Sequence, residues 1–252
     1  MILKSSLTKL LHKKYFVSYI ATRIVKRVFT AVHFRLLVLR WCGLRYFLGT
    51  IIGPIYAQWI FLVVTAQLDQ PLPPSDFRCT VSLATSGDVK ELFNGIRTES
   101  RKGRYELLVR KSFHAIGIGD CYITRAAGTK EICAVRWLIT PENVKKLGCE
   151  GRYPLEEDEF TTENVYTFER YRRSGVEIAS SNLLREIIRK LGFQRAKAYI
   201  DETNISSLKM SEKSGDKVCE RVLIRRFLFH DTRKTLQRYD PPVTASEALE
   251  MI

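Results

Sequence analysis

The sequence predicts an α+β (α/β) fold preceded by a basic, apolar N-terminal extension. Three observations carry this expectation. Strand and helix signals alternate through the second half of the chain, a hairpin pattern precedes them, and positive charge gathers in the first 70 residues. The 252 residues carry 41 Lys and Arg against 27 Asp and Glu, a net charge of +14, and 45% are hydrophobic. That suits one globular domain with a sizeable core plus an extension.

Residues 1–70 form the extension. They hold ten bases (Lys4, Lys9, Lys13, Lys14, Arg23, Lys26, Arg27, Arg35, Arg40 and Arg45) against one acid, Asp69, and so supply +9 of the +14. In Met1–Arg45 the bases alternate with aliphatic and aromatic residues. Ile20, Ile24, Val28, Ala31 and Val32 fall near helical spacing. Tyr46–Leu68 then carries no charge. Three readings apply: a membrane-spanning helix, a basic amphipathic helix on an anionic membrane surface, or a helix broken at Gly53-Pro54 followed by a buried strand over Trp59–Thr65. The Gly-Pro break and the β-rich second half favour the third for Trp59–Thr65. Peripheral membrane contact through residues 1–68 stays open for the rest. The aliphatic content points away from nucleic acid, and the late apolar run does not read as a signal peptide.

Residues 71–77, with Pro71, Pro73 and Pro74, read as an extended linker. Arg78–Leu83 reads as a strand, and Thr85-Ser86-Gly87-Asp88 supplies capping residues for a helix through Arg97. Ser100–Phe113 reads as a second helix. Asp120–Arg125 and Glu131–Ile139 flank a turn at Ala127-Gly128-Thr129 as a hairpin. Pro141–Phe160, with six acids, reads as a solvated insertion, or as a lid that attracts a cation. The six cysteines form no CxxC and the four histidines no metal or triad spacing, so reduced thiols, no metal and a cytoplasmic location are expected.

The segment from Val165 carries the chemistry. A strand enters Tyr171-Arg172-Arg173-Ser174-Gly175-Val176-Glu177-Ile178, and an amphipathic helix with Leu183, Leu184, Ile187 and Ile188 leaves it. Backbone N–H groups converge at such a junction, the helix dipole adds partial positive charge, and Arg172 and Arg173 add fork-shaped donors suited to phosphate. Leu191-Gly192 stops the helix and Arg195–Ile200 is a strand. Asn204 heads a short helix closed by Gly215, and Lys217–Phe229 is one or two strands.

This order and spacing resemble the acetyl-CoA core of the Gcn5-related N-acetyltransferases (GNAT superfamily). The matching residues are Arg172-x-x-Gly175-x-Glu177, Gly192-Phe193, Asn204-x-x-Ser207 and Gly215. Three positions depart from the family: Glu177 replaces the last small residue of the phosphate turn, Ser211 stands at the position of a frequent tyrosine acid, and Asp216 replaces a phenylalanine. The resemblance implies a central mixed, mostly antiparallel sheet flanked by helices, with a GNAT-like domain over 78–232 and a C-terminal tail over 233–252. It implies acyl transfer from acetyl-CoA, as co-substrate, to an amine. Backbone at Tyr166, Thr167 and Phe168 would pair with the pantetheine arm. The turn Arg172, Arg173, Ser174, Gly175, Val176, Glu177 and Ile178 would hold the pyrophosphate, and Asn204 and Ser207 would sit near the thiol. Glu163 is the candidate general base, with Glu169 behind it. A binding or scaffold protein with impaired catalysis is the alternative, to which Glu177, Ser211 and Asp216 point.

Overall fold

The structure, a computed structural model, describes residues 32–252 apart from 53–55, 71, 118, 148–153 and 228–229. The expected break at Gly53-Pro54 and the expected basic arm before residue 32 lie outside the described residues.

Two helical segments come first, α1 (residues 32–42) and α2 (Leu44–Ile52), parted at Gly43, whose φ is +90°. The uncharged run then becomes a strand, β1 (Tyr56–Gln67), as its β-rich composition requires. Leu62, Val63 and Val64 are buried in it. β2 (Cys79–Leu83) follows residues 72–78, which carry no regular structure. In α3 (Ser86–Asn94) the Thr85 hydroxyl accepts from the Asp88 N–H at 3.2 Å, while the Asp88 carboxylate accepts from the Thr85 N–H at 2.8 Å. This reciprocal cap satisfies N–H groups that the first turn leaves open. A 3-10 turn (Gly95–Thr98) leads to α4 (Arg101–Ile116), capped by Ser100.

The expected hairpin is β3 (Asp120–Ala126) and β4 (Ile132–Ile139), paired antiparallel. The acidic insertion opens on a helix, α5 (Pro141–Leu147), where a loop or lid was expected. The Thr140 N–H and hydroxyl both donate to the Asn143 side chain, and Pro141 stands at the first helical position, where its missing N–H is no loss. Then come β5 (Glu159–Thr167), α6 (Val176–Lys190), β6 (Arg195–Asp201), α7 (Ile205–Lys213) and β7 (Lys217–Phe227). Beyond residue 232, where a tail was expected, the chain stays in the fold. β8 (His230–Val243) pairs with β7 along its length, and α8 (Ala245–Glu250) buries Ala245 and Ala248.

The eight strands of the described residues make one sheet, in the order β2-β3-β4-β5-β6-β1-β7-β8. Every neighbouring pair is antiparallel except β5–β6. The sheet is therefore mixed and mostly antiparallel, as expected. Its order holds one feature the sequence does not announce. β1, from the N-terminal extension, sits between β6 and β7 and makes ladders to both.

One face of the sheet packs a cluster of Leu107, Leu108, Ile123, Val135, Trp137 and Ile139 under α1–α5. The other face packs Leu138, Phe160, Leu184 and Ile188 under α6, and Leu62, Val64, Leu208 and Val218 under α7 and α8. The five cysteines among the described residues are free thiols. Burial pushes Cys121 up to about 12 and Cys133 up to about 11, so both stay protonated and inert at neutral pH.

Candidate active site

β5 and β6 run parallel but pair only at Glu159↔Arg195 and Phe160↔Ala196. Past those two positions the strands share no ladder pair, although each continues for five residues or more. Each keeps its other neighbour: β5 stays on β4 and β6 on β1. A V-shaped parting of a sheet results, with strand edges on both walls. The C-terminal ends of both strands lie at its open end, where α6 and α7 begin. Ligands of open α/β sheets bind outside carboxyl ends of strands for the same reason: helix N-termini gather there.

β5 itself is kinked. Asn164 has φ +54°, and the β4–β5 register shifts between Val135 and Trp137. Two residues, Asn164 and Val165, then oppose one, Arg136, which is a β-bulge. Arg110 of α4 secures it, donating from Nε to the Asn164 carbonyl at 2.8 Å and from Nη2 to the Val165 carbonyl at 2.6 Å. Burial pulls the Arg110 guanidinium down to about 10, which leaves it charged at neutral pH. Before the bulge, Glu163 lies directly across from Trp137, so it faces the α4 side of the sheet.

After β5 a 3-10 turn (Glu169–Tyr171) leads into the basic turn, and α6 starts behind Gly175, whose φ is +87°. No side chain caps α6. Among the described residues no acceptor meets the N–H groups of Gly175, Val176, Glu177 and Ile178, so four donors lie open at the positive end of a 15-residue helix. Arg173 is exposed beside them with φ +64°. The glycine has a second reason to be glycine. Ser75, in the linker, donates its hydroxyl to the Gly175 carbonyl at 3.0 Å, and a Cβ on Gly175 would stand 2.7 Å from that oxygen. Phe77 packs edge-on against Tyr171, and Asn182 donates to the Pro73 carbonyl at 3.4 Å. The proline-rich linker thus runs along α6 to its first turn.

Glu177 does not face the open N–H groups. Its carboxylate accepts from Arg136 of β4 at 2.9 Å and from the Thr167 hydroxyl at 3.3 Å. Arg136 is 5% exposed and donates further to Ser180 at 2.6 Å and Ser181 at 3.0 Å. The departure at residue 177 is thereby neutralised. The acid serves a buried arginine under the helix and leaves the turn's field positive. The signal that marks Arg136 in the sequence is that it is the one charge in the otherwise apolar run Ile132–Ile139, and a lone charge in such a run needs a buried partner.

Arg172 also differs from expectation. Its Nε donates to the Thr167 carbonyl at 3.2 Å, its Nη groups reach Glu106 and Glu169, and its guanidinium stacks over Tyr166. It braces the end of β5 in place of reaching outward. Tyr166 donates to Glu99 at 2.6 Å, and burial with that carboxylate raises its pKa. The Phe168 N–H is spent on Cys133. Glu169 bonds Ser100 at the start of α4, which holds its carboxyl below the usual range. Its carboxylate is thus engaged at the start of α4.

At the second wall, Asn204 caps α7, its side chain accepting from the Ser207 N–H at 3.3 Å. Ser211 and Asp216 pair with each other at 2.9 Å, and Arg185 of α6 donates to Asp216 at 3.3 Å. Burial raises the Asp216 pKa against these partners. The two remaining departures are thus one unit that ties α7 to α6, with the Ser211 hydroxyl buried and aimed at a carboxylate.

No protein-family model matches the chain, and no curated protein does. Solved structures similar to it include a Drosophila protein, at 12% identity and TM-score 0.44, over 76% of this chain and 59% of that one. Another is the GCN5-related glucosamine N-acetyltransferase region of a fungal multi-domain GH3 β-N-acetylglucosaminidase, at 14% identity and TM-score 0.49, over 75% and 22%. A third is an acetyltransferase of the GNAT family from Novosphingobium aromaticivorans, at 16% identity and TM-score 0.39, over 68% and 66%. Likeness at this level leaves the chemistry to the chain's own residues.

Proposed function

We propose that this chain is an N-acetyltransferase that moves an acetyl group from acetyl-CoA to an amine by direct attack. The observation that carries the proposal is the parting of β5 from β6, with an uncapped helix N-terminus at its open end. Acetyl-CoA supplies an activated acyl group and a thiolate leaving group. The open N–H groups of Gly175 to Ile178, with Arg173 beside them, suit a pyrophosphate. The β5 edge near Tyr166, Thr167 and Phe168 suits an amide-bearing arm. Asn204 and Ser207 sit at the start of α7 on the opposite wall. In this reading Glu163, on the α4 side, takes the proton of an incoming amine, directly or through water.

A second reading is favoured by Ser75 over the Gly175 turn and by the occupied hydroxyl of Ser211: a protein of the same fold that binds its ligand without turnover. One experiment separates the two. Thermal shift with acetyl-CoA is run for the wild type and for Gly175→Glu, followed by thiol release against a panel of amines. Binding and release in the wild type, lost together in Gly175→Glu, support the enzyme. Binding without release from any amine supports the second reading. No response to any acyl-CoA sinks the enzyme reading. In the first case, Glu163→Gln should cut turnover at least tenfold with little change in acetyl-CoA affinity.

A further inference from the structure

We infer that the outer faces of α1 and α2 dock on an anionic lipid surface. Both helices turn one side into the same core cluster. Val38 and Cys42 are buried there, with Phe34, Leu37, Trp41, Tyr46 and Phe47 packed against it. Their other sides carry Val32, Leu36 and Leu39 on α1, and Leu44, Leu48 and Ile51 on α2, each set at spacings of four and three. Such spacing makes one stripe per helix. The stripes are open: Leu36 is 57% exposed, Leu44 62% and Leu48 45%. A run of exposed aliphatic side chains this long marks a contact surface.

Charge decides the occupant. Arg40 and Arg45 are exposed beside the stripes, and residues 1–68 contain ten Lys and Arg with no Asp or Glu. A second copy of this chain would bring the same arginines against them. The first 31 residues would bring seven more bases. Both would set like charges together, whereas an anionic headgroup layer complements every one of them. The contact lies on the surface. Among the described residues no helix is long and apolar enough to cross a membrane, and α2, at nine residues, rises only about 14 Å against a hydrocarbon core of about 30 Å. The inference uses none of the residues assigned to the acyl-CoA cleft, so either can fail alone.

The test is cosedimentation of the full chain with vesicles of 30% phosphatidylserine in phosphatidylcholine, and with phosphatidylcholine alone. The wild type should pellet with the anionic vesicles, weakly with the neutral ones, and less at 0.5 M than at 0.1 M salt. Leu44→Ser/Leu48→Ser/Ile51→Ser should lower anionic-vesicle affinity at least a hundredfold, and Arg40→Glu/Arg45→Glu at least tenfold. Both variants alter exposed positions, and unchanged circular dichroism confirms that each folds. A wild type that stays in the supernatant overturns the inference. So does a triple variant that binds as the wild type does. Sedimentation velocity without lipid gives the last outcome: a wild-type dimer that the triple variant turns into a monomer assigns the face to a second copy and refutes the lipid surface.

Discussion

Removing either member of the Arg136–Glu177 pair should have unequal effects, because the two ends are buried unequally. Arg136 is 5% exposed, whereas the Glu177 side chain keeps about a third of its surface. Glu177→Ala strands a guanidinium under α6 with only Ser180 and Ser181 to accept from it. An uncompensated buried charge costs several kcal/mol, and discounting for the exposed rim leaves about 3 kcal/mol. Arg136→Met keeps the apolar stem and frees a carboxylate that water can reach, at a cost of about 1 kcal/mol. The double variant should lose less than the sum, with a coupling of about 1–2 kcal/mol. Urea unfolding of the four proteins measures each corner of this cycle. In a chain of this length Glu177→Ala should also lower Tm by about 6–12 °C. Binding gives a second reading. Arg136→Met leaves the Glu177 charge unneutralised near the open N–H groups of α6, so acetyl-CoA affinity should fall about tenfold and return in the double variant. Equal costs for the two single variants, or additivity within about 0.5 kcal/mol, would refute the assignment of Glu177 as the partner of a buried arginine.

Three further outcomes are expected. Gly175→Ala should cost about 1–3 kcal/mol through its left-handed backbone and the close Ser75 hydroxyl, and adding Ser75→Ala should recover less than half in urea unfolding, because the backbone strain stays. Ser211→Ala should leave turnover within twofold while costing about 1 kcal/mol of stability, since its hydroxyl serves Asp216 and not a leaving thiolate. Thr85 holds the Asp88 carboxyl below the usual range, by its N–H first and its hydroxyl next, with Arg125 adding to this. A depressed acid stabilises the fold above its unfolded pKa. Asp88→Ala should therefore cost about 1 kcal/mol at pH 7, and the difference in Tm should shrink below pH about 4 and vanish once the folded carboxyl is protonated.

Much of the core was legible because local signals there agree with tertiary packing. Gly175 before a 3.6-residue stripe gave α6, Leu191-Gly192 ended it, and Asn204 and Gly215 bracketed α7. The middle of β1, Trp59–Thr65, was legible from β-branched and aromatic residues without charge. Its position was not, because nothing in one strand's side chains names its neighbours. β8 reads as a tail for a related reason. At an edge of the sheet it needs only one buried side, so Lys234, Arg238 and Pro241 break the apolar alternation by which a strand is recognised. α5 was missed although Thr140, Pro141 and Asn143 spell a helix start, since the acids after it suggest a solvated loop. In the candidate site, the turn and both helix starts were visible, but Arg136, Arg110 and Ser75 were not. Each acts across more than forty residues of sequence, where no periodicity links the partners.

The place of β1 bears on how the chain is made. It leaves the ribosome before both strands that flank it, β6 and β7. Roughly 130 residues separate the end of β1 from the start of β6, about 6–26 s at ordinary rates of synthesis. Through that interval an apolar strand waits with two unpaired edges, as in a template for aggregation. A chain shortened before Arg195 should therefore precipitate, although it holds five of the eight described strands.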